Sequence, residues 1–346
     1  MGIYYILFSI LAFFFILDSY SSRSRALKIL VILILALVLA LRFNVGNDYI
    51  EYANIYDGIK FYGNYSYVEP LYLLLCIAAP DFKLVIATIA LVSMVYLYKI
   101  IEYYSNRFFF TSLFLYFGLY FIIFDIHLIR QGLAVLLAFY SYRYIIENKT
   151  FKYYIYIIIS SLIHTSAILL LVLPLLNKIK ISRSGRYFVL VLSFLVYLVI
   201  YLNKEVVFGV LSLFSLTKRY ADVYNDAEFS HSYGISLGLI FDILLFVIAN
   251  GIRNNDKKET FLLNIFSIST FISIAFNDFA IALRLGYFFR LANIFILCKL
   301  YRLHFRNILV GLFLIIYSYF YLHTALTKGN GVDTLVYRTI FEDPDF

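Results

Sequence analysis

FDIHLIRQGLAVLLAFYSYRY, residues Phe124 to Tyr144, is apolar along most of its length and polar at its head, where Asp125, His127, Arg130 and Gln131 crowd together. Apolar runs recur at Ile3 to Leu17, Ala26 to Leu41, Phe108 to Phe124, Leu133 to Tyr144, Tyr187 to Leu202, Ile235 to Ala249, Phe261 to Phe276, Ile281 to Cys298 and Ile308 to Leu322. With the less regular stretches Leu71 to Ile101 and Phe151 to Leu176, they predict about ten to twelve transmembrane helices at roughly 20 residues per crossing, some broken or re-entrant. The composition agrees. A chain of 346 residues that is 63% hydrophobic and 14% charged, with mean hydropathy +0.86, is too apolar to give a soluble domain of that size a polar surface. The expected fold is all-α, a polytopic integral membrane protein. Lipid leaves an open backbone unsatisfied, and these runs are not the short alternating segments of a barrel.

The first apolar run has no basic leader, and no small-residue cleavage site separates it from the second, so it reads as a retained span and not as a removed signal peptide. Cys76 and Cys298, both inside apolar runs, exclude a disulfide framework and a four-ligand zinc site; each reads as a packing residue. The net charge of +8 is what Lys- and Arg-bearing cytoplasmic loops produce, so no nucleic-acid partner is expected. With no internal repeat, heptad or low-complexity tract, a single membrane domain over 1–346 is the simplest organisation.

Short loops rich in Lys and Arg stay in the cytoplasm. Four stand out: Arg23, Arg25 and Lys28; Arg143, Lys149 and Lys152; Arg253, Lys257 and Lys258; and Lys299, Arg302 and Arg306. Facing all four inward puts both termini outside. The outer face then collects the loops 42–69 and 217–233, the segment Asp125 to Arg130, Asn277 with Asp278, and the tail 326–346. Two regions disturb the count. Leu71 to Ile101 contains APDFK at Ala79 to Lys83, and reads either as a broken helix or as a short element followed by a span. Phe151 to Leu176 leads into Lys178, Lys180, Arg183 and Arg186, which belong inside although one crossing from Lys152 puts them outside. Either SSLIHTSA is the tip of a re-entrant hairpin, or Val206 to Leu216 is an extra crossing.

The polar groups carry the chemistry. On a helix His127, Arg130, Gln131 and Ala134 fall at i, i+3, i+4 and i+7 and share one stripe. An Arg snorkelling to the interface is the plain reading; a His one turn before it and a Gln beside it favour a wet, anion-holding cavity. Two readings are open for His164 in SSLIHTSAILLL. It is either a hydrogen-bonded packing residue or, with an imidazole pKa ordinarily about 6.5, a proton acceptor. FNDFAIALRLGYFFRLAN, Phe276 to Asn293, holds Asn277, Asp278, Arg284, Tyr287 and Arg290. Two guanidinium groups in one apolar run cost on the order of 2.5 to 3.5 kcal/mol each on insertion, which points to anion binding. They lie roughly 120° apart on a helix, so they approach a ligand from two sides. The alternative is a structural ion pair with Asp242 or Asp278. The loop from Leu41 to Tyr72 combines Arg42, Asp48, Glu51, Asp57 and Glu69 with many Tyr and Asn, materials of sugar recognition and equally of an interface belt. Its carboxylates beside Arg are candidates for an acid or base. No P-loop, zincin helix or GxSxG elbow is present and, in the membrane body, no Asp-x-Asp pair for a metal-bound nucleotide donor; no metal and no cofactor is expected.

In order along the chain, LRFNVGNDYIEY (Leu41 to Tyr52), VEPLYLLL (Val68 to Leu75), IRQGLAVLLAFYSY leading to SSLIHTSAILLL, LRLGYFF (Leu283 to Phe289) and LVYRTIF (Leu335 to Phe341) resemble the EpsG family of Wzy-type polysaccharide polymerases. The resemblance implies a helical membrane architecture like that of GT-C glycosyltransferases, in the cytoplasmic membrane of a bacterium, with the active site on the outer face. It implies a metal-independent glycosyltransferase that joins polyprenyl-diphosphate-linked oligosaccharide repeats and releases polyprenyl diphosphate. The partners are then that lipid-linked substrate, membrane lipid and other polysaccharide assembly proteins. Under this resemblance Arg130, Arg284 and Arg290 lead as diphosphate ligands, with Arg42 and Arg338 as outer candidates. His164 leads as the base, with Asp48 or Glu69 as the alternative; His127, Gln131, Asn277, Asp278 and Tyr287 orient substrate. The rival readings are a transporter or flippase of the same lipid-linked oligosaccharide, an outer-face glycan ligase or acyltransferase, and a non-catalytic scaffold.

Overall fold

Apolar sequence becomes helix throughout the computed structural model, which describes residues 1–18, 24–66, 68–178, 181–203, 237–252, 256–303, 308–327 and 333–342. No strand is present among the described residues beyond an isolated antiparallel bridge between Arg42 and Thr339. Among the described residues four helices are long and apolar enough to cross a membrane, namely Phe82–Ser105, Phe109–His127, Arg183–Leu202 and Ile308–Thr327, and shorter apolar helices accompany them. The protein is an all-α polytopic membrane protein. Its chain divides into two compact units, Met1–Leu173 with Leu297–Phe346, and Pro174–Ile296.

The first unit contains α1 (Gly2–Asp18), α2 (Arg25–Ala40), α3 (Tyr49–Tyr62), α4 (Pro70–Ala78), α5 (Phe82–Ser105), α6 (Phe109–Tyr116), α7 (Ile129–Ile146) and α8 (Thr150–Ile163). α6 runs without a break into a π-helix over Phe117–His127, and this continuous rod is almost wholly buried. At one end of the unit Asp18 accepts the N–H and hydroxyl of Thr111 at 3.0 and 3.1 Å, and Lys28 pairs with Glu102 at 2.8 Å. At the other end three chain breaks gather polar groups.

The first break answers the ambiguity at Leu71 to Ile101. Pro80 lacks a backbone donor and holds Ala79 extended, so a short helix ends and a separate span begins. The carbonyls this exposes are satisfied by Lys60, at 2.8 Å from Ala79 O and 3.0 Å from Ile77 O, and by the Tyr56 hydroxyl at 3.1 Å, while Asp81 caps α5 through Leu84 N–H. The second break is Leu128. The π-helix closes with Leu128 N–H on Ile123 O, and α7 restarts one residue later. Gly132 makes this possible, because a Cβ there would collide with the Phe124 carbonyl. His127 and Arg130 therefore sit on different helices, and the single stripe expected from their spacing is divided. The third break is His164, extended between α8 and a 3₁₀ turn over Thr165–Val172. The Tyr153 hydroxyl donates to Leu170 O at 2.6 Å, so the chain doubles back at His164. This is the hairpin among the two expected alternatives, and it returns the chain toward the Lys149 end before the basic segment begins. The other alternative, Val206 to Leu216, lies outside the described residues, as does the loop 217–233.

Within 42–69, read as a loop from sequence, Tyr49–Tyr62 is helical. Tyr49, Tyr52, Tyr56 and Ile59 recur at helical spacing and bury one face against α4, α5 and α7. Gly63, at φ +61°, closes α3 in the left-handed conformation that suits glycine.

The second unit holds α9 (Arg183–Leu202), α10 (Leu237–Gly251), α11 (Lys257–Ala275) and α12 (Ala280–Arg290). Arg186, counted among the loop cations in the sequence, is buried: its Nε donates to Asn250 Oδ1 at 2.6 Å and one terminal nitrogen to Asn264 Oδ1 at 3.2 Å. α13 (Ile308–Thr327) belongs to the first unit.

Candidate functional site

The divided end of the first unit brings together Glu69, Arg130 and His164. Pro70 opens α4, and the residue before a proline is held extended; Glu69 is so held, at φ −64° and ψ 139°. Its carboxylate lies between two cation-forming groups. Arg130, in the first turn of α7, donates to Oε2 at 2.6 Å. His164 presents Nδ1 at 3.3 Å from Oε1, an ion-pair distance at which the ring is off the alignment of a good hydrogen bond. The guanidinium of Arg130 is packed over two rings, 5.1 Å from the centre of Tyr52 and 5.0 Å from that of Tyr72. Arg130 Nε has no partner among the described residues. Burial alone pushes the Glu69 carboxyl up, but contact with His164 and the charge of Arg130 outweigh it and hold the group below the ordinary carboxylate range.

A second polar group adjoins it. Arg42, only 3% exposed, donates to the backbone carbonyl of Asp125. The Asp125 carboxylate accepts the Tyr116 hydroxyl at 2.6 Å, and His127 Nδ1 accepts Asn47 N–H at 3.0 Å. Tyr52, beneath Arg130, lies within electrostatic range of Arg42 as well. The loop carrying Arg42 is held by the C-terminal segment. Phe43 N–H donates to Arg338 O at 2.9 Å, Ile340 N–H to Leu41 O at 2.9 Å, and Gly46 N–H to Thr334 O at 2.8 Å. Arg338 thus contributes its backbone here while its side chain is exposed. Asp48 stands at the head of α3 without capping it, and Gln131 is buried behind Arg130.

The remaining expected site residues belong to the second unit. Arg290 donates to the Ser273 hydroxyl at 3.1 Å, lies 5.4 Å from the Tyr287 ring and stands in the field of Asp242. Of the two acids considered from sequence as its ion-pair partner, Asp242 is the one whose charge is felt at this arginine. Arg284 is exposed. The Asn277 amide donates to the Asp278 carboxylate at 3.3 Å, and Asn277 borders an apolar cleft of about 310 Å³ lined by Phe194, Tyr197, Leu239, Ile243 and Ile274.

The sequence profile of the EpsG family matches residues 25–343, a range that takes in both polar groups of the first unit. The chain belongs to the EpsG family. No curated protein and no solved structure matches it. As a member of this Wzy-type polymerase family, the chain is a membrane protein of polysaccharide biosynthesis.

Three residues of these polar groups escaped the sequence reading. Tyr52 and Tyr72 support Arg130, and Tyr116 holds Asp125. Tyr52 and Tyr72 lie inside the very motifs LRFNVGNDYIEY and VEPLYLLL, but tyrosine is so common here, 34 residues, that position alone gave no signal. The sequence also carries one Asp-x-Asp spacing, Asp343 and Asp345, in terminal residues outside the described segments.

Proposed function

We propose that this EpsG-family chain is a glycosyltransferase that joins polyprenyl-diphosphate-linked oligosaccharide repeats at the outer face of a bacterial cytoplasmic membrane. The observation that carries the reading is the Glu69 carboxylate shared between Arg130 at 2.6 Å and His164 at 3.3 Å. A carboxylate on Nδ1 favours the tautomer with its proton there and leaves Nε2 free to accept one, the arrangement a general base requires. In the transfer, an acceptor sugar hydroxyl attacks the anomeric carbon of the donor glycan, its proton passes to His164 Nε2, and the bond from that carbon to the diphosphate oxygen breaks. Negative charge gathers on the departing diphosphate. Arg130, with Arg42 across Tyr52, supplies fixed positive charge for it. A single displacement of this kind inverts the anomeric configuration. The basic loops, including Arg143, Lys149 and Lys152, support placing the opposite end of the first unit in the cytoplasm.

The test is reconstitution of the full chain with lipid-linked repeat units, followed by sizing of the glycan. Stepwise elongation with release of lipid diphosphate is expected. His164→Ala should slow it by about 10² to 10⁴ and Arg130→Ala by about 10² to 10³, with membrane insertion retained. Normal chain growth in both variants would sink the site. Unaltered repeats appearing in the opposite leaflet would replace the polymerase with a transporter.

A further inference from the structure

The end of the first unit remote from Glu69 carries charges that polymerase chemistry leaves unused. Lys99 of α5, Arg143 of α7 and Lys152 of α8 share tyrosine rings. Lys99 Nζ lies 5.0 Å from the ring centre of Tyr96 and 5.8 Å from that of Tyr140. The Arg143 guanidinium lies 4.1 Å from Tyr140 and 4.5 Å from Tyr144, and Lys152 Nζ lies 6.0 Å from Tyr144. The rings interlock through Tyr156, whose centre is 5.3 Å from Tyr140 and 5.5 Å from Tyr144. Arg143 donates to the Tyr144 hydroxyl at 2.6 Å, while its Nε is buried with no partner among the described residues. Of the neighbouring acids, Glu147 stands in the field of Arg143 but pairs with Lys149 at 2.7 Å, and Glu102 pairs with Lys28 at 2.8 Å; neither makes an ion pair with Lys99, Arg143 or Lys152 among the described residues.

Three like charges held on common aromatic faces repel one another unless an anion joins them. Lys99 and Lys152 are exposed, so that anion comes from outside the fold. The cluster sits where three adjacent apolar helices end, the depth at which tyrosines mark a membrane interface. Val95 on α5 and Ile155 on α8 lie exposed beside it, on the membrane side of the cations, where an acyl chain would run. We propose that Lys99, Arg143 and Lys152 form a headgroup site for an acidic phospholipid, with the phosphate among the three cations. Apolar surface next to the charges favours a lipid over free phosphate. The charge pattern assigns this end to the cytoplasmic leaflet, where anionic lipids raise the local supply. The proposal is independent of the polymerase reading.

The experiment is thermal unfolding of the full-length protein in neutral detergent with added phosphatidylglycerol, phosphatidylcholine or inorganic phosphate. Phosphatidylglycerol alone should raise the unfolding temperature. Lys99→Gln combined with Lys152→Gln should weaken its apparent affinity roughly thirtyfold, two charges near a membrane surface being lost. Lys149→Gln, which removes a neighbouring cation already paired with Glu147, should leave the response intact. Equal stabilisation by phosphatidylcholine or by inorganic phosphate overturns the proposal, as does an undiminished response in the double variant or an equal loss in Lys149→Gln. If the double variant is not recovered folded, native mass spectrometry of the wild-type protein decides: preferential retention of acidic lipid supports the site, and indifferent retention overturns it.

Discussion

Glu69 is the residue on which the proposed site turns, because its carboxylate contacts both Arg130 and His164. Glu69→Gln keeps its shape and removes its charge, leaving a mostly buried guanidinium uncompensated, at a cost on the order of 3 kcal/mol. The pH dependence has a definite sign. A carboxyl held below its ordinary range in the folded protein contributes stability that is complete above the ordinary value and disappears as pH falls through the lowered folded one. The difference in unfolding temperature between wild type and Glu69→Gln should therefore be constant near neutral pH and shrink only on acidification below the ordinary carboxylate range. A difference that stayed unchanged through that acid range as well would remove Glu69 from the ion pair. Arg130 and His164 were conspicuous in the sequence as polar groups in apolar surroundings, and Glu69 as a carboxylate in an outer loop that also carries Arg42. Their association was not, because Arg130 and Glu69 are 61 positions apart and helical periodicity relates only near neighbours. The same limit misled the reading of His127 with Arg130, since nothing in FDIHLIRQG announces a helix break at Leu128.

At the scale of elements, legibility follows from chemistry that is local. The break at Pro80 was visible because proline cannot donate, whereas the π-helix over Phe117–His127 has no compositional signature and α3 was hidden by its polar exposed face. The C-terminal segment was legible only as a motif. In the structure it straps the Arg42 loop through three backbone hydrogen bonds, with the Tyr337 hydroxyl on Val38 O at 2.8 Å and the Thr334 hydroxyl on Asn47 Oδ1 at 2.7 Å. At about 1 kcal/mol net apiece these add to the ties of Arg42 to the Asp125 carbonyl and of Asn47 N–H to His127 in fixing the loop. Gly46, at φ +114°, lets the same loop press against the Ile126 carbonyl, so the strap also sets the end of the π-helix. A chain ended at Thr327 should still insert and fold its helices, yet lose glycan elongation by tenfold or more as Arg42 and His127 lose their fixed positions. Full activity in that truncated chain would show that the strap does not hold the site.

For the molecule as a membrane protein, the decisive feature is the reversal at His164. α8 has 14 residues and rises about 21 Å, less than the roughly 30 Å of a hydrocarbon core, so a chain starting at the Lys149 surface turns back before reaching the far side. A histidine and hydroxyl-bearing neighbours at such depth are tolerable only where protein encloses them or water enters, because lipid cannot satisfy an interrupted backbone. The proposed site is then expected to open toward the surface that carries Asn47. Single cysteines at Asn47, Lys149 and Thr165 test this, and the native Cys76 and Cys298 are buried, so background labelling is low. A small charged thiol reagent confined to one side of sealed vesicles should modify Asn47→Cys and Thr165→Cys from one side and Lys149→Cys from the other. Thr165 follows His164 directly and is exposed, so its reaction reports whether the tip of the hairpin is wet. Reaction from the Lys149 side would invert the assignment of faces. No reaction from either side would leave the proposed base dry, where neither a sugar hydroxyl nor a diphosphate has access to it.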